Sequence, residues 1–328
     1  MSRIAIFGIS GMDGSNLTDY LLSLGHSVYG MVRRSSYVEA QQHRLEHVKS
    51  DIHVEYGDVT DTVSIKRIME HAQPDYIFNL AAMSQVRISF DVPQYTQQVN
   101  FIGNQNILEA YRTMAPNAKF YFAGSSEMFG LSVDEDGYQR ESTPFNPTSP
   151  YGISKVASVN MTKHYRRAYD LHACTGFLFN HTGIRRGANF VEQKVCRSAV
   201  EIKLGLRDNL ELGNIDTYRD FGASVDYVKA MWKIVNHDVA DDFVIATGET
   251  HCIRDMCDIV FSYLDLDYKD YVVQNLKYMR PEELPYLKGD STKARKTLDW
   301  EPTYTFENIM HDMVDHWMDV LQGKESLR

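Results

Sequence analysis

The sequence predicts an α/β protein: a Rossmann-type doubly wound parallel sheet with a smaller, mostly carboxyl-terminal domain. Three observations point there. Short apolar runs alternate with amphipathic helical stretches through the first half, a glycine-rich turn follows the first apolar run, and short aromatic-rich segments crowd the second half. Strands are expected over residues 3–7, 27–32, 53–56, 76–80, 119–123 and 173–178, with helices over 14–24, 62–71, 93–113 and 151–169 between them. Parallel strands require crossovers of that length, and ligands of such sheets bind at the carboxyl ends of the strands. Residues 1–178 form the sheet domain, to which a later segment near 215–248 is expected to return. Residues 179–328 lie mainly on the substrate side, with short motifs at 180–190, 211–221, 243–248 and 278–284 and a closing amphipathic helix over 306–321.

The 328 residues, 43% of them hydrophobic, suffice for a sizeable core. A net charge of −10 without any long Lys/Arg block argues against binding nucleic acid or an anionic membrane, so any phosphate site must be local. No run approaches the roughly eighteen apolar residues of a membrane span, and the chain enters a strand directly from Met1. A cytoplasmic protein is expected. Cys174, Cys196, Cys252 and Cys257 form no C-x-x-C pair, so reduced, mostly buried thiols and no metal site are expected.

Gly8-Ile-Ser-Gly-Met-Asp-Gly14 occupies the first strand-to-helix turn. Gly8, Gly11 and Gly14 permit a tight turn and close helix packing, while the amides near Ser10, Met12 and Asp13 can approach a pyrophosphate at a helix amino terminus. The second strand ends in Val32-Arg-Arg-Ser-Ser36, where a site specific for NAD offers a carboxylate to the ribose diol. Arg33, Arg34, Ser35 and Ser36 suit a 2′-phosphate instead, which favours NADP; a solvated basic loop or a subunit contact is the alternative. Asp58 and Val59 end the third strand beside the adenine, and Leu80, Ala81, Ala82 and Ser84 flank the cofactor's far side or simply pack closely.

Tyr151 and Lys155 are four residues apart and share a helix face. A phenol ionises near a pKa of about 10, and an ammonium beside it favours phenolate, a base for an alcohol proton. Ser125 adds a hydroxyl to orient the alcohol. Glu127, two residues on along an extended strand end, would face the same side, where a carboxylate could take a carbon-bound proton next to a new ketone; an ion pair or a helix cap is the alternative.

With these motifs in place, the chain resembles the extended short-chain dehydrogenase/reductase family, in its nucleotide-sugar-modifying branch, almost end to end. The likeness runs through the glycine turn, Arg33-Arg-Ser-Ser36, Tyr56-Gly-Asp-Val-Thr60, Asn79-Leu-Ala-Ala-Met-Ser84, Ser125-Ser-Glu127, Ser149-Pro-Tyr-Gly152 with Lys155, Phe179-Asn-His181 with Arg185-Arg-Gly187, and Arg219-Asp220. The resemblance implies a redox-neutral 4,6-dehydration of GDP-mannose or a related GDP-hexose, with NADP retained through the cycle. It places NADP contacts at Arg33, Arg34, Ser35, Ser36, Asp58, Val59, Tyr95, His181 and Arg186 beside Tyr151 and Lys155. Nucleotide-sugar contacts fall at Ser84, Ser125, Ser126, Glu127, Asn180, Lys194, Arg219, Arg280 and Glu283. A homotetramer built from dimers is also implied. Two departures stand out: the family's threonine at the catalytic strand end is Ser125, and its Asn-His-Glu-Ser is Asn180-His181-Thr182-Gly183, which removes a carboxylate close to the site. A reductase, epimerase or decarboxylase of the same fold, and a scaffold that binds cofactor without catalysis, are the competing readings.

Overall fold

The computed structural model of the chain describes residues 1–34, 43–279 and 281–324. Its central sheet is built from β1 (Arg3–Phe7), β2 (Ser27–Val32), β3 (Ile52–Tyr56), β4 (Tyr76–Asn79), β5 (Lys119–Ala123) and β6 (Ala173–Leu178). A seventh strand, β11 (Asp242–Ile245), joins beside β6. The order is β3-β2-β1-β4-β5-β6-β11 and every pairing is parallel. Such strands are covered on both faces and read as apolar runs: Ile4, Ala5, Ile6 and Phe7 of β1 are wholly buried, and so is all of β6.

The crossover helices α1 (Met12–Ser23), α2 (Thr62–Ala72), α3 (Gly103–Met114), α4 (Pro150–Tyr169) and α6 (Ser224–Asn236) flank the sheet. Each starts for a local reason. Asp61 caps α2 by accepting from the amides of Val63 and Ser64, and Ser149 caps α4 by accepting from Gly152, with Pro150 in the first turn. Helix α4 ends at Asp170, whose φ of 54° breaks the ladder. The long helix expected over 93–113 exists as a run of Pro93–Gln97, a π-helical stretch Gln98–Ile102, and α3. The π stretch turns Asn100 inward, where it bonds both the Met83 backbone and Ser154 of α4.

Small sheets make up the other side of the molecule. β7 (Asn180–Thr182) pairs with β10 (Phe221–Ala223), and β8 (Leu210–Leu212) with β13 (Val272–Gln274). β9 (Tyr218–Arg219) lies between β12 (His251–Cys252) and β14 (Tyr286–Leu287). Helices α5 (Val191–Lys203), α7 (Ile253–Tyr263) and α9 (Phe306–Leu321) enclose a separate apolar core that includes Val195, Cys196, Met256, Phe261, Met310 and Trp317. Helix α8 (Thr292–Leu298) packs on β11.

β11 is an edge strand, and its free edge is covered rather than bare: the Glu141 carboxylate accepts from the Val244 amide at 2.7 Å. Burial raises the pKa of that carboxyl. All four cysteines are buried and unpaired, and among the described residues no helix is long and apolar enough to cross a membrane.

Candidate active site

A cleft of about 620 Å³ opens at the carboxyl ends of β1, β4, β5 and β6, between the sheet and the small-sheet side. The cradle at its floor is the glycine turn. Gly8 has φ +92°, and a Cβ there would stand 2.8 Å from the Ala81 nitrogen; a Cβ on Gly14 would stand 2.2 Å from the Gly8 oxygen. No side chain fits at either place, so backbone alone lines the turn. The first amides of α1, which begins at Met12, have no acceptor within the helix, and this donor set suits a pyrophosphate. Ser10 and Gly11 complete the turn, and the Ser10 carbonyl accepts from Arg44 at 3.3 Å.

Asp13 points from this turn into the cleft. Its carboxylate accepts from His181 Nε2 at 2.9 Å and Ser224 Oγ at 2.7 Å. Burial by itself would raise this carboxyl, but His181, Ser224 and Arg186 together hold it below the ordinary carboxylate range. The His181 ring also meets the Phe179 carbonyl at 2.8 Å through Nδ1 and stacks on Tyr227. Both ring nitrogens thus face oxygen atoms.

Beyond the end of β2, Arg33 donates to the Tyr95 hydroxyl, which brings two expected cofactor residues together, and the Arg34 guanidinium lies 5.7 Å from the Tyr56 ring centroid. Asp58 bonds the amide and hydroxyl of Thr60, and Val59 packs under Gly103. Ser35, Ser36 and Arg280 lie outside the described residues. Leu80, Ala82 and Ser84 line the cleft, while the Ala81 backbone closes against Gly8.

Ser125, Ser126, Glu127, Tyr151 and Lys155 meet on one wall. Tyr151 stands in the first turn of α4, with its amide bonded to Ser89 Oγ, and Lys155 follows one turn later. Lys155 is buried. Its Nζ donates to the Ala123 carbonyl at the end of β5, at 2.8 Å, and lies 5.7 Å from the Tyr151 ring centroid. Glu127 is not on an extended strand end: β5 stops at Ala123, and the carboxylate sits in the 3-10 turn Ser126–Met128, whose cap is the Ser125 hydroxyl accepting from the Glu127 amide at 3.2 Å. The turn still delivers it to the same wall.

The protonation states at this wall differ from the phenolate that an adjacent ammonium favours. Burial pushes the Tyr151 phenol up to about 12, partly offset by a hydrogen bond to Ser125 and by Arg186, while Glu127 and Asp13 push the same way as burial. Burial pulls Lys155 down to about 8 against the opposing field of Asp13. The resting phenol therefore keeps its proton, and Lys155 loses its charge as pH rises through about 8.

Across the cleft stand Asn180, Arg186, Lys194, Arg219 and Glu283. Lys194 donates to the Glu211 carbonyl and lies 3.7 Å from the Tyr278 ring centroid. Arg219 donates to Glu283 at 3.1 Å, and Arg186 stacks on Phe190. Sequence reasoning missed Gln85, Arg87, Asn189, Glu192, Asn214 and Lys277, which also line the cleft; these are loop and helix-start positions without periodicity to mark them. Glu192 matters among them. Thr182 is wholly buried with its hydroxyl on Met313, so it brings nothing to the cleft, but Glu192 of α5 brings a buried carboxylate there, 4.0 Å from Arg186. Among the described residues no group of His, Cys, Asp and Glu is arranged to hold a metal ion.

Comparison with known proteins agrees with this geometry. A family model described as GDP-mannose 4,6 dehydratase matches residues 5–313. GDP-mannose 4,6 dehydratase 1 of Arabidopsis thaliana is 42% identical over 98% of this chain and 91% of its own length. The human GDP-mannose 4,6 dehydratase is 40% identical over 94% of this chain and 89% of its own. Among solved structures, dTDP-glucose 4,6-dehydratase of Bacillus anthracis in complex with NAD superposes with a TM-score of 0.85 at 20% identity, covering all of both chains.

The buried phenol yields a spectroscopic expectation. The ultraviolet difference between the ligand-free wild type and Tyr151→Phe at about pH 9 should lack the tyrosinate band, because a phenol held near 12 remains protonated there. A tyrosinate difference already present near neutrality would contradict this assignment.

Proposed function

Because the chain belongs to the GDP-mannose 4,6-dehydratase family, we propose that it converts GDP-D-mannose to GDP-4-dehydro-6-deoxy-D-mannose with NADP as a retained cofactor. One observation carries the reading: the Glu127 carboxylate lies on the same wall as Ser125, Tyr151 and Lys155. An alcohol dehydrogenase or a C4 epimerase has no use for a second base at that wall; a dehydratase needs one for C5.

The seven-stranded sheet carries the cofactor and the small-sheet side carries the nucleotide sugar. Gly8 and Gly14 allow the tight turn whose amides would hold the pyrophosphate, and Arg33, bonded to Tyr95, would hold the 2′-phosphate. NADP, when bound, would supply the hydride acceptor and donor for the redox changes at C4 and C6. Tyr151, after releasing its own phenol proton to solvent, takes the 4-hydroxyl proton as phenolate, with Ser125 donating to the hexose oxygen and the Lys155 ammonium, anchored on the Ala123 carbonyl, supplying a fixed positive charge. The C4 ketone acidifies C5, and Glu127 removes that proton and passes it to the departing 6-hydroxyl, which leaves as water. Glu127, reprotonated from solvent, later returns a proton to C5. Arg219 and Lys194 face the diphosphate of the sugar nucleotide, with Asn180 and Glu283 on its flanks. The setting we propose is cytoplasmic, where four buried cysteines outside any disulfide would stay reduced.

Specificity for NADP rests in this reading on Arg33. A charge-assisted contact to phosphate contributes about 1.5–3 kcal/mol, so Arg33→Ala should weaken NADP roughly tenfold or more and leave NAD nearly unchanged. Equal weakening of both, measured by fluorescence titration, removes the assignment.

The assembly we propose is a homotetramer made of dimers. Ile88, Val92, Tyr95, Ile102 and Ile153 are exposed apolar side chains on adjoining helical segments, and α4 packs against Pro93–Gln97. Multi-angle light scattering should give four chains; a fully active monomer is the outcome that excludes it.

Glu127→Gln preserves shape but accepts no proton. Turnover should fall about 10²- to 10⁴-fold while C4 oxidation persists, so that reduced nicotinamide accumulates by absorbance when GDP-mannose is added. The wild type run in deuterated water should place deuterium at C5 of the product. Product without solvent deuterium at C5, or no conversion of any GDP-hexose, transfers the assignment to a decarboxylase or reductase.

A further inference from the structure

Asp220 is wholly buried beside the cleft and belongs to neither the proton-transfer group nor the cofactor cradle. Its carboxylate gathers separate parts of the chain. One oxygen accepts from the amide and hydroxyl of Thr247, at 2.8 and 2.7 Å; the other accepts from the amides of Gly248, at 2.8 Å, and Gly289, at 3.4 Å. The Asp220 amide donates to the Leu287 carbonyl at 3.0 Å. Those four donors to the carboxylate are neutral. Burial raises the carboxyl to about 6, and the Thr247, Gly248 and Gly289 donors oppose that rise.

The neighbouring residue explains why such an arrangement is kept. Arg219 lies in β9, which is held between β12 and β14, with His251 and Leu287 as its cross-strand partners. Its guanidinium enters the cleft and is bonded to Glu283. Without Asp220, the strand would keep its few ladder bonds but lose its tie to the 247–248 turn and to Gly289. That last point also receives the loop between Glu127 and Tyr151: the Gln139 amide donates to the Lys288 carbonyl, the Asp290 amide donates to the Gln139 carbonyl, and Arg140 donates to Asp290 at 2.8 Å. One carboxylate thus ties the strand that bears the cleft arginine to the segment that steadies the catalytic loop.

We propose that Asp220 is a positioning residue: by drawing the 247–248 turn and Gly289 onto β9, it sets where the Arg219 guanidinium stands for the diphosphate of the nucleotide sugar. This rests on the reading of Arg219 as a nucleotide-sugar ligand.

A double-mutant cycle on the intact enzyme tests it through KM and kcat. Arg219→Met should raise KM for GDP-mannose about 10- to 100-fold, as expected for loss of a hydrogen bond to a charged group. Asp220→Asn keeps the volume but turns an amide nitrogen toward backbone donors, and should raise KM about tenfold with kcat changed less than about threefold and NADP affinity unaltered. In the Arg219→Met background, Asp220→Asn should add almost nothing to KM, because the two act as one. Additive effects, or an Asp220→Asn protein with wild-type KM, overturn the proposal while leaving the role of Arg219 standing; an unchanged KM in Arg219→Met removes that role and this proposal with it. Should Asp220→Asn fail to fold, Thr247→Val decides: a KM raised about two- to fivefold at unchanged kcat supports the proposal, and a wild-type KM overturns it.

Discussion

Seven parallel strands oblige every crossover helix to run back against the sheet, so each helix begins on the edge where the strands end. The site depends on that constraint. The amino terminus of α1 with its glycine turn and the amino terminus of α4 with Tyr151 reach one edge for the same geometric reason. The segments following β4, β5 and β6 arrive there too, with Ser84, Ser125 and Glu127, and Asn180 and His181. Five distant stretches of chain border one cleft because the sheet is parallel.

Burying charge at that edge is costly, and the protein offsets the cost by pairing charges or by lowering them. Asp13 is buried at the glycine turn, and it is tolerated because His181 and Ser224 hold it. Lys155 is fastened to the Ala123 carbonyl and drawn down toward neutrality. Arg219 is bonded to Glu283, and Lys194 rests on the Glu211 carbonyl and the Tyr278 ring. In the function proposed, an anionic substrate would exchange these internal partners for its own phosphates, so that less of its binding energy would go into ordering side chains.

Support for the catalytic wall comes from outside it. Asn100, turned inward by the π-helical stretch, links the Met83 backbone to α4, and Glu141 and Arg140 fix the loop between Glu127 and Tyr151 to β11 and to Asp290. These are polar contacts at long sequence separation. A single substitution among them moves the geometry of a residue it does not touch.

Periodicity and local chemistry made much of the architecture legible. The β1, β2, β5 and β6 strands occupy the residues expected from their apolar runs, because strands buried on both faces have no other composition available. The glycine turn, Ser149-Pro150 before Tyr151, and the four-residue step to Lys155 are determined within one turn of chain, and the sequence alone specifies them. Glu127 shows the boundary: its place on the wall was legible, but the 3-10 turn that puts it there depends on where β5 stops, which no run of residues announces. The phenol of Tyr151 and the charge of Lys155 depend on burial, Asp13 depends on a histidine contributed from β7, and Glu192 enters the cleft only through the packing of α5. Desolvation and long-range pairing arise when distant segments meet, and so tertiary structure alone decided them.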